Sequence, residues 1–245
     1  MINFEKIKDL LKTEDDGLIL SYLQGYTGKA FVDNENNPTS AQIVVGDFSF
    51  FVGDVNIELI NDAKAPILTP QNKEWQKAIE DTLGDKVSKK YRYKIKKDIN
   101  SFDRYKLSEF VNSLDKKYEL KLIDQTLYES VLKESWSEDL CSQFKDYDDF
   151  KEKGLGFVIL KDSEVVSGAS SYVVYDDGLE IEIDTKLDYR GKNLATVCGA
   201  KLILECLDRN IYPSWDAIDL RSVALAEKLG YQLDTPYVVY YYDLD

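Results

Sequence analysis

Histidine is missing from all 245 residues. That absence excludes Ser-His-Asp and Cys-His triads, imidazole acid–base catalysis and His-based metal sites, so no metal is expected. Proton transfer is left to carboxylates, Tyr, Lys, Cys or water. Cysteine is scarce: Cys141, Cys198 and Cys206 form no C-x-x-C pair, and an odd count makes a poor disulfide framework. All three read as reduced, buried thiols. No apolar run approaches the roughly 18 residues that span a bilayer. The N-terminal "MINFEKIKDLLKTEDD" carries charge in every turn, where a signal peptide has an apolar stretch. Positive charge is the minority, with 31 Lys plus Arg against 45 Asp plus Glu and a net charge of −14. Such a surface repels nucleic acid and anionic membrane, so neither is expected as a partner. The chain reads as soluble and cytoplasmic.

What is present is ordinary for a globular protein, with 44% hydrophobic residues and enough length for one large domain or two small ones. In the first half the patterns predict a short amphipathic helix over 4–12 and strands in "GKAFVDNENNP", "AQIVVGDFSFFVGD" and "APILT". A helix is expected from Asn72 to Leu83. Residues 89–97 alternate, with Tyr91, Tyr93 and Ile95 opposite Lys90, Arg92, Lys94 and Lys96. In so acidic a chain this reads as a strand with its aromatic side in the core and its charged side in water. A polar helix over 104–117 leads into the strand "YELKLID". No proline lies between Pro70 and Pro213, so no linker marks a boundary; the cut is placed near 115, giving units 1–115 and 116–245. No internal repeat and no low-complexity segment is legible.

The second half predicts helices over 123–134, 137–144 and 146–153, the last stopped by Gly154. Two strands in "GFVILKDSEVVSGASSYVVY" flank a tight turn at Lys161–Ser163. "LEIEIDT" is a further strand, 193–209 a helix, "IYPSWD" a strand, 219–229 a helix and 231–243 a final strand. Together they make a mixed α/β fold with helices covering a mixed sheet.

In "LEIEIDT", Leu179, Ile181 and Ile183 alternate with Glu180, Glu182 and Asp184, which sets three carboxylates on one face. Neighbouring like charges and desolvation raise carboxyl pKa values, as a general base near neutral pH requires. A solvent-facing polar strand side is the alternative. The strand runs into "DYRGKNLAT", where the N–H groups of Gly191 to Thr196 could hold an anion at a helix start, helped by Arg190 and Lys192. Equally, Asn193 could be a simple N-cap. Asp219 is a natural N-cap for the helix that ends at Gly230.

"YRGKNLAT" before a helix, then a strand, then "SVALAEKLGY", resembles the second half of the GNAT superfamily of acyl-CoA-dependent N-acetyltransferases. Within that superfamily the whole chain resembles the zwittermicin-resistance-type proteins, which join a divergent N-terminal half to a C-terminal GNAT domain. The resemblance is firm over about residues 155–245 and rests on the order of elements over 1–115. It implies a mixed, mostly antiparallel sheet whose splayed central strands hold acetyl-CoA, flanked by helices, plus a divergent N-terminal α/β half. The family's pyrophosphate loop, Q/R-x-x-G-x-G/A, falls on Asp188, Tyr189, Arg190, Gly191, Lys192 and Asn193. Asp188 and Asn193 depart from it, and Ala195 keeps a small residue nearby.

By the same resemblance Ile183, Asp184 and Thr185 would hold pantetheine through their backbone. Arg190, Gly191, Lys192, Asn193, Leu194, Ala195 and Thr196 would hold the pyrophosphate; Asp219, at the family's Asn position in the later helix, and Ser222 would also contact the cofactor. Ala226 stands where many members carry a tyrosine that protonates the CoA thiolate. The implied reaction is direct attack of an amine on the thioester in a ternary complex, with Glu182 as base and Glu180 or Asp216 as substitutes. Net acidity favours a cationic acceptor: a polyamine, an aminoglycoside-like antibiotic or a peptide amine. Other readings are a CoA-binding or partner-binding module with little catalysis, and a different acyl donor. A homodimer stays open.

Overall fold

Aspartate and asparagine side chains start most of the helices. Asp16, Asn56, Asn72, Asp103, Asp124, Asp146 and Asp219 each accept backbone N–H bonds in a first helical turn, satisfying donors that have no partner inside the helix. The computed structural model describes residues 4–11 and 15–243. It divides into two units, one formed by residues up to 92 with those from 236 on, the other by residues 93–235. The division falls earlier than the cut near 115, because the helix over 104–112 packs on the long helix of the second unit.

The first unit runs α1 (Phe4–Lys8), α2 (Gly17–Leu23), β1 (Lys29–Val32), β2 (Ser40–Val45), β3 (Phe48–Gly53), α3 (Ile57–Asn61), β4 (Ile67–Pro70), α4 (Lys73–Leu83) and into β5 (Val87–Ile95). Part of the helix expected over 4–12 lies outside the described residues. β1 with β2 and β2 with β3 are antiparallel, and β3 with β4 is parallel. Trp75, Ile79 and Leu83, spaced four apart, form the buried stripe of α4 against Phe51, Leu68 and Tyr240. Each such side chain stabilises by about 1.5–3 kcal/mol when taken fully from water.

The expectation for β5 is partly overturned. Tyr91 is 55% exposed and Arg92 only 8%. The Arg92 guanidinium lies 4.9 Å from the Phe48 ring centroid and donates to the Tyr241 hydroxyl at 3.4 Å. A planar, weakly hydrated cation can be buried against a ring, so the expected sides are exchanged at Tyr91 and Arg92, whereas Tyr93 and Ile95 pack against the core and Lys90, Lys94 and Lys96 are exposed as expected.

In the second unit come α5 (Arg104–Asn112), β6 (Glu119–Leu122), α6 (Gln125–Val131), α7 (Tyr147–Lys153), β7 (Gly156–Lys161), β8 (Glu164–Tyr175), β9 (Gly178–Thr185), α8 (Leu194–Asp208), β10 (Tyr212–Ser214), β11 (Asp216–Ala217), α9 (Leu220–Leu229) and the start of β12 (Leu233–Tyr242). A five-stranded sheet has the order β10-β9-β8-β7-β6, antiparallel except for the parallel pair β9 and β10. The β7–β8 hairpin turns through Asp162 and Ser163, both at positive φ, as a tight two-residue loop requires. The helix expected over 137–144 is only a short 3-10 turn, Glu138–Leu140. Gly154 does end α7, in an extended rather than a left-handed conformation. Among the described residues no helix is long and apolar enough to cross a membrane.

α8 covers one face of the sheet: a Cβ on Gly199 would lie 3.0 Å from Ile183 Cδ1. On the opposite face, a Cβ on Gly168, the pairing partner of Asp184, would lie 2.5 Å from Leu140 Cδ1. The carboxylate side of β9 therefore looks toward residues 138–141.

A repeat that the sequence does not display is present in the topology. The order strand, strand, strand, helix, strand, helix, strand from β1 to β5 recurs from β7 to β12, with the short β11 added after β10 in the second copy. In both copies the first three pairings are antiparallel, antiparallel, parallel.

Candidate active site

The site is built on β9. Glu180, Glu182 and Asp184 share a face, and pairing with β8 sets them beside Val173, Ser170 and Gly168. This face is not an ordinary wet strand side, since Glu180 is only 8% exposed while Glu182 and Asp184 are half-buried. Burial raises the Asp184 carboxyl above the ordinary carboxylate range. The Thr185 N–H and Arg190 oppose that rise, and Asp139 across the face adds to it. Asp216 is not in this row; it lies on β11, opposite Lys94 of β5. The buried thiols cannot substitute as bases: burial pushes Cys141, Cys198 and Cys206 up to about 12.

The edge of β9 opens partway along. β10 pairs with it only at Gly178, Leu179 and Glu180. After Ser214 the chain breaks at Trp215, and β11 pairs with Tyr93 and Lys94 instead. The single strand expected for "IYPSWD" is thus two, and the break is what parts β10 from β9. On the β10 side no strand of the described residues faces Ile181, Glu182, Ile183, Asp184 or Thr185. Such an edge presents backbone donors and acceptors to an extended, amide-bearing ligand.

Beyond Thr185 the chain turns into α8. Gly191 has φ 75° with open space around it, a conformation glycine adopts without strain. Asn193 stands at the N-cap of α8 in the left-handed region, yet its side chain makes no cap bond to the helix. Asn193 is thus an N-cap through its backbone, its carbonyl accepting the Val197 N–H at 3.2 Å, and not through its side chain. Asn193 Oδ1 instead accepts from Lys228 Nζ at 3.1 Å, and the same ammonium reaches Thr196 Oγ1 at 3.2 Å. Lys192 Nζ donates to the Asp188 carbonyl at 2.6 Å and lies over the Tyr189 ring. Arg190 ties the turn to the strand, Nε donating to Thr185 O at 3.0 Å and a terminal nitrogen to Asp184 Oδ1 at 3.3 Å. Three cations and a helix start without a side-chain cap favour an anion here. Leu194 and Thr196 are buried at the start of α8, and Ala195 is half-buried between them.

Two residues expected near the cofactor have local duties. Asp219 caps α9 through the Arg221 and Ser222 N–H groups and accepts from the Arg221 guanidinium. Burial would raise its carboxyl, but these bonds outweigh it and hold it below the usual range. Ser222 Oγ accepts the Trp215 indole N–H at 3.1 Å, which fixes the side chain at the break between β10 and β11. At the closed end of the wedge, Tyr175 and Ser214 share a 2.6 Å hydrogen bond, and Tyr231 donates to the Pro213 carbonyl at 2.6 Å. Ala226 is fully buried.

Sequence reasoning missed Lys228, Asp139 and the Tyr175–Ser214 pair. Lys228 was visible as a basic residue in the last turn of a helix, a position that reads first as a complement to the helix dipole. A separate cavity of about 320 Å³ lies between Ser130, Glu134, Trp136 and residues 162–165. Lys186 pairs with Glu134 and Glu164 beside it, and no residue of β9 or of the 188–196 segment lines the cavity. Among the described residues no group of metal-ligating side chains is assembled.

A family model described as GNAT acetyltransferase matches residues 8–240. The solved structure of a GCN5-related N-acetyltransferase-like protein from Streptococcus suis 89/1591 is 44% identical and covers 98% of each chain, with a TM-score of 0.94. An uncharacterized N-acetyltransferase of Bacillus subtilis (strain 168), YdfB, is 28% identical over 199 residues, 80% of this chain and 73% of that one. A tandem GNAT protein from the clavulanic acid biosynthesis pathway shares the fold at 11% identity, with a TM-score of 0.55 over 97% of this chain and 93% of its own.

Proposed function

The chain belongs to the GNAT acetyltransferase family, and from that premise we propose that it moves an acetyl group from acetyl-CoA to a primary amine. The observation that carries this reading is the end of the β9–β10 ladder at Glu180 and Ser214, while β9 runs on to Thr185 and into a helix start without a side-chain cap. An open strand edge suits the amides of a pantetheine arm. The turn with Arg190, Lys192 and Lys228 suits a pyrophosphate. Asp188 is the unfavourable member of the set.

The co-substrate supplies an activated acetyl thioester. The contribution of the chain is to hold that thioester and the amine in line, which alone can account for about 7–11 kcal/mol of barrier lowering. The acceptor must be neutral to attack, and Glu182, half-buried on the face toward residues 138–141, is the proposed group that takes its proton. Glu180 is the deeper alternative. Asp139 and Asp184 add negative potential on that side, which favours a cationic acceptor: a polyamine, an aminoglycoside-like molecule or a peptide amine.

Thermal unfolding with and without acetyl-CoA tests binding; no upward shift far above micromolar concentration would remove the site. Free-thiol release across an amine panel tests catalysis. Glu182→Gln should lower kcat about 10²- to 10⁴-fold, the range for loss of a general base. An unchanged pH–rate profile would exonerate Glu182. A buried alanine at 226 favours one second reading, a CoA-binding module with little turnover; ligand-induced stabilisation with silence across the panel would support it.

A further inference from the structure

We infer that the first unit is a second copy of the same fold whose ligand wedge has been closed by its own side chains, so that the chain binds a single acyl-CoA. The inference rests on the reading of the β9–β10 wedge above. In the first unit β3 and β4 correspond to β9 and β10 by order and by parallel pairing. Their ladder does not open: it runs from Phe48 and Ile67 to Phe51 and Pro70, and the Gln71 N–H continues it by donating to the Phe51 carbonyl at 3.0 Å.

The last residue of β3 is sealed by side chains. Gln71 Oε1 accepts the Gly53 N–H at 3.3 Å, and the fully buried Trp75 donates its indole N–H to the Gly53 carbonyl at 3.0 Å. The opposite edge is paired too: β2 continues alongside, and the Asp54 N–H donates to the Thr39 carbonyl at 2.8 Å. No edge is left there for an extended ligand.

The turn that follows also differs in charge and capping. α3 has five residues, against fifteen in α8. Asn56 caps it with its own side chain, accepting from the Glu58 and Leu59 N–H groups at 2.9 and 3.3 Å. Asp54 and Glu58 flank that start, where Arg190 and Lys192 flank the other. An anion favoured in the second unit is opposed in the first.

Native mass spectrometry of the full chain titrated with CoA should show one molecule bound per chain, and none in Gly191→Glu. Hydrogen exchange should slow on CoA binding over 190–196 and stay unchanged over 48–58. Two molecules per chain, one still bound to a folded Gly191→Glu protein, or ligand protection within 48–58 would overturn the inference. Wild-type protein that binds no CoA would agree with a closed first unit and sink the reading of the second.

Discussion

Lys228 stands 35 residues from Asn193 in sequence and within hydrogen-bond reach in space. Its ammonium reaches Asn193 and Thr196, beside a turn whose first motif position, Asp188, carries the wrong charge for a phosphate. Lys228→Gln should weaken acetyl-CoA binding about three- to tenfold, the scale of one partly exposed charged hydrogen bond. Acetyl-pantetheine, which lacks the pyrophosphate, should bind as before, and Lys228→Arg should restore acetyl-CoA binding. Isothermal titration of both ligands decides the matter: equal losses for the two would leave Lys228 a packing role between α9 and α8 only.

The wedge is a property of strand pairing rather than of any single side chain. Gly178 lets the Tyr175 hydroxyl cross β9 to Ser214, since a Cβ there would lie 2.4 Å from the Tyr212 carbonyl oxygen and 2.5 Å from the Tyr175 hydroxyl. Gly178→Ala should therefore destabilise by about 1–3 kcal/mol, as overpacking does, read as a lower urea midpoint; an unchanged midpoint would show that β9 and β10 part freely. The strand period, the turn and both flanking helices of this region were legible in the sequence. The burial of Glu180 was not, because alternation of carboxylates with Leu179, Ile181 and Ile183 is the same pattern whether that face meets water or a cleft. Nor was the break at Trp215, which depends on β11 finding Tyr93 and Lys94 far earlier in the chain.

Across the whole molecule, β12 brings the end of the chain back to the first unit. Tyr240 pairs with Leu68, is fully buried against the α4 stripe, and donates its hydroxyl to Glu80 at 2.6 Å. Tyr240→Ala should destabilise by about 3–5 kcal/mol, the range for deleting a large buried aromatic, measured by urea unfolding; a loss under about 1 kcal/mol, the range of surface changes, would show that the strand end does not hold this unit. The missing histidine, the acidic surface, the alternation of β9 into the glycine turn before α8, and the helices α8 and α9 were determined by sequence alone. They depend on composition and on contacts a few residues apart. Tertiary structure decided which unit owns α5 and β12, that Arg92 rather than Tyr91 is buried, that two units repeat one topology, and that only one of their wedges is open. Each of those is settled by pairing between residues far apart in the chain, and a local pattern carries no record of its distant partner.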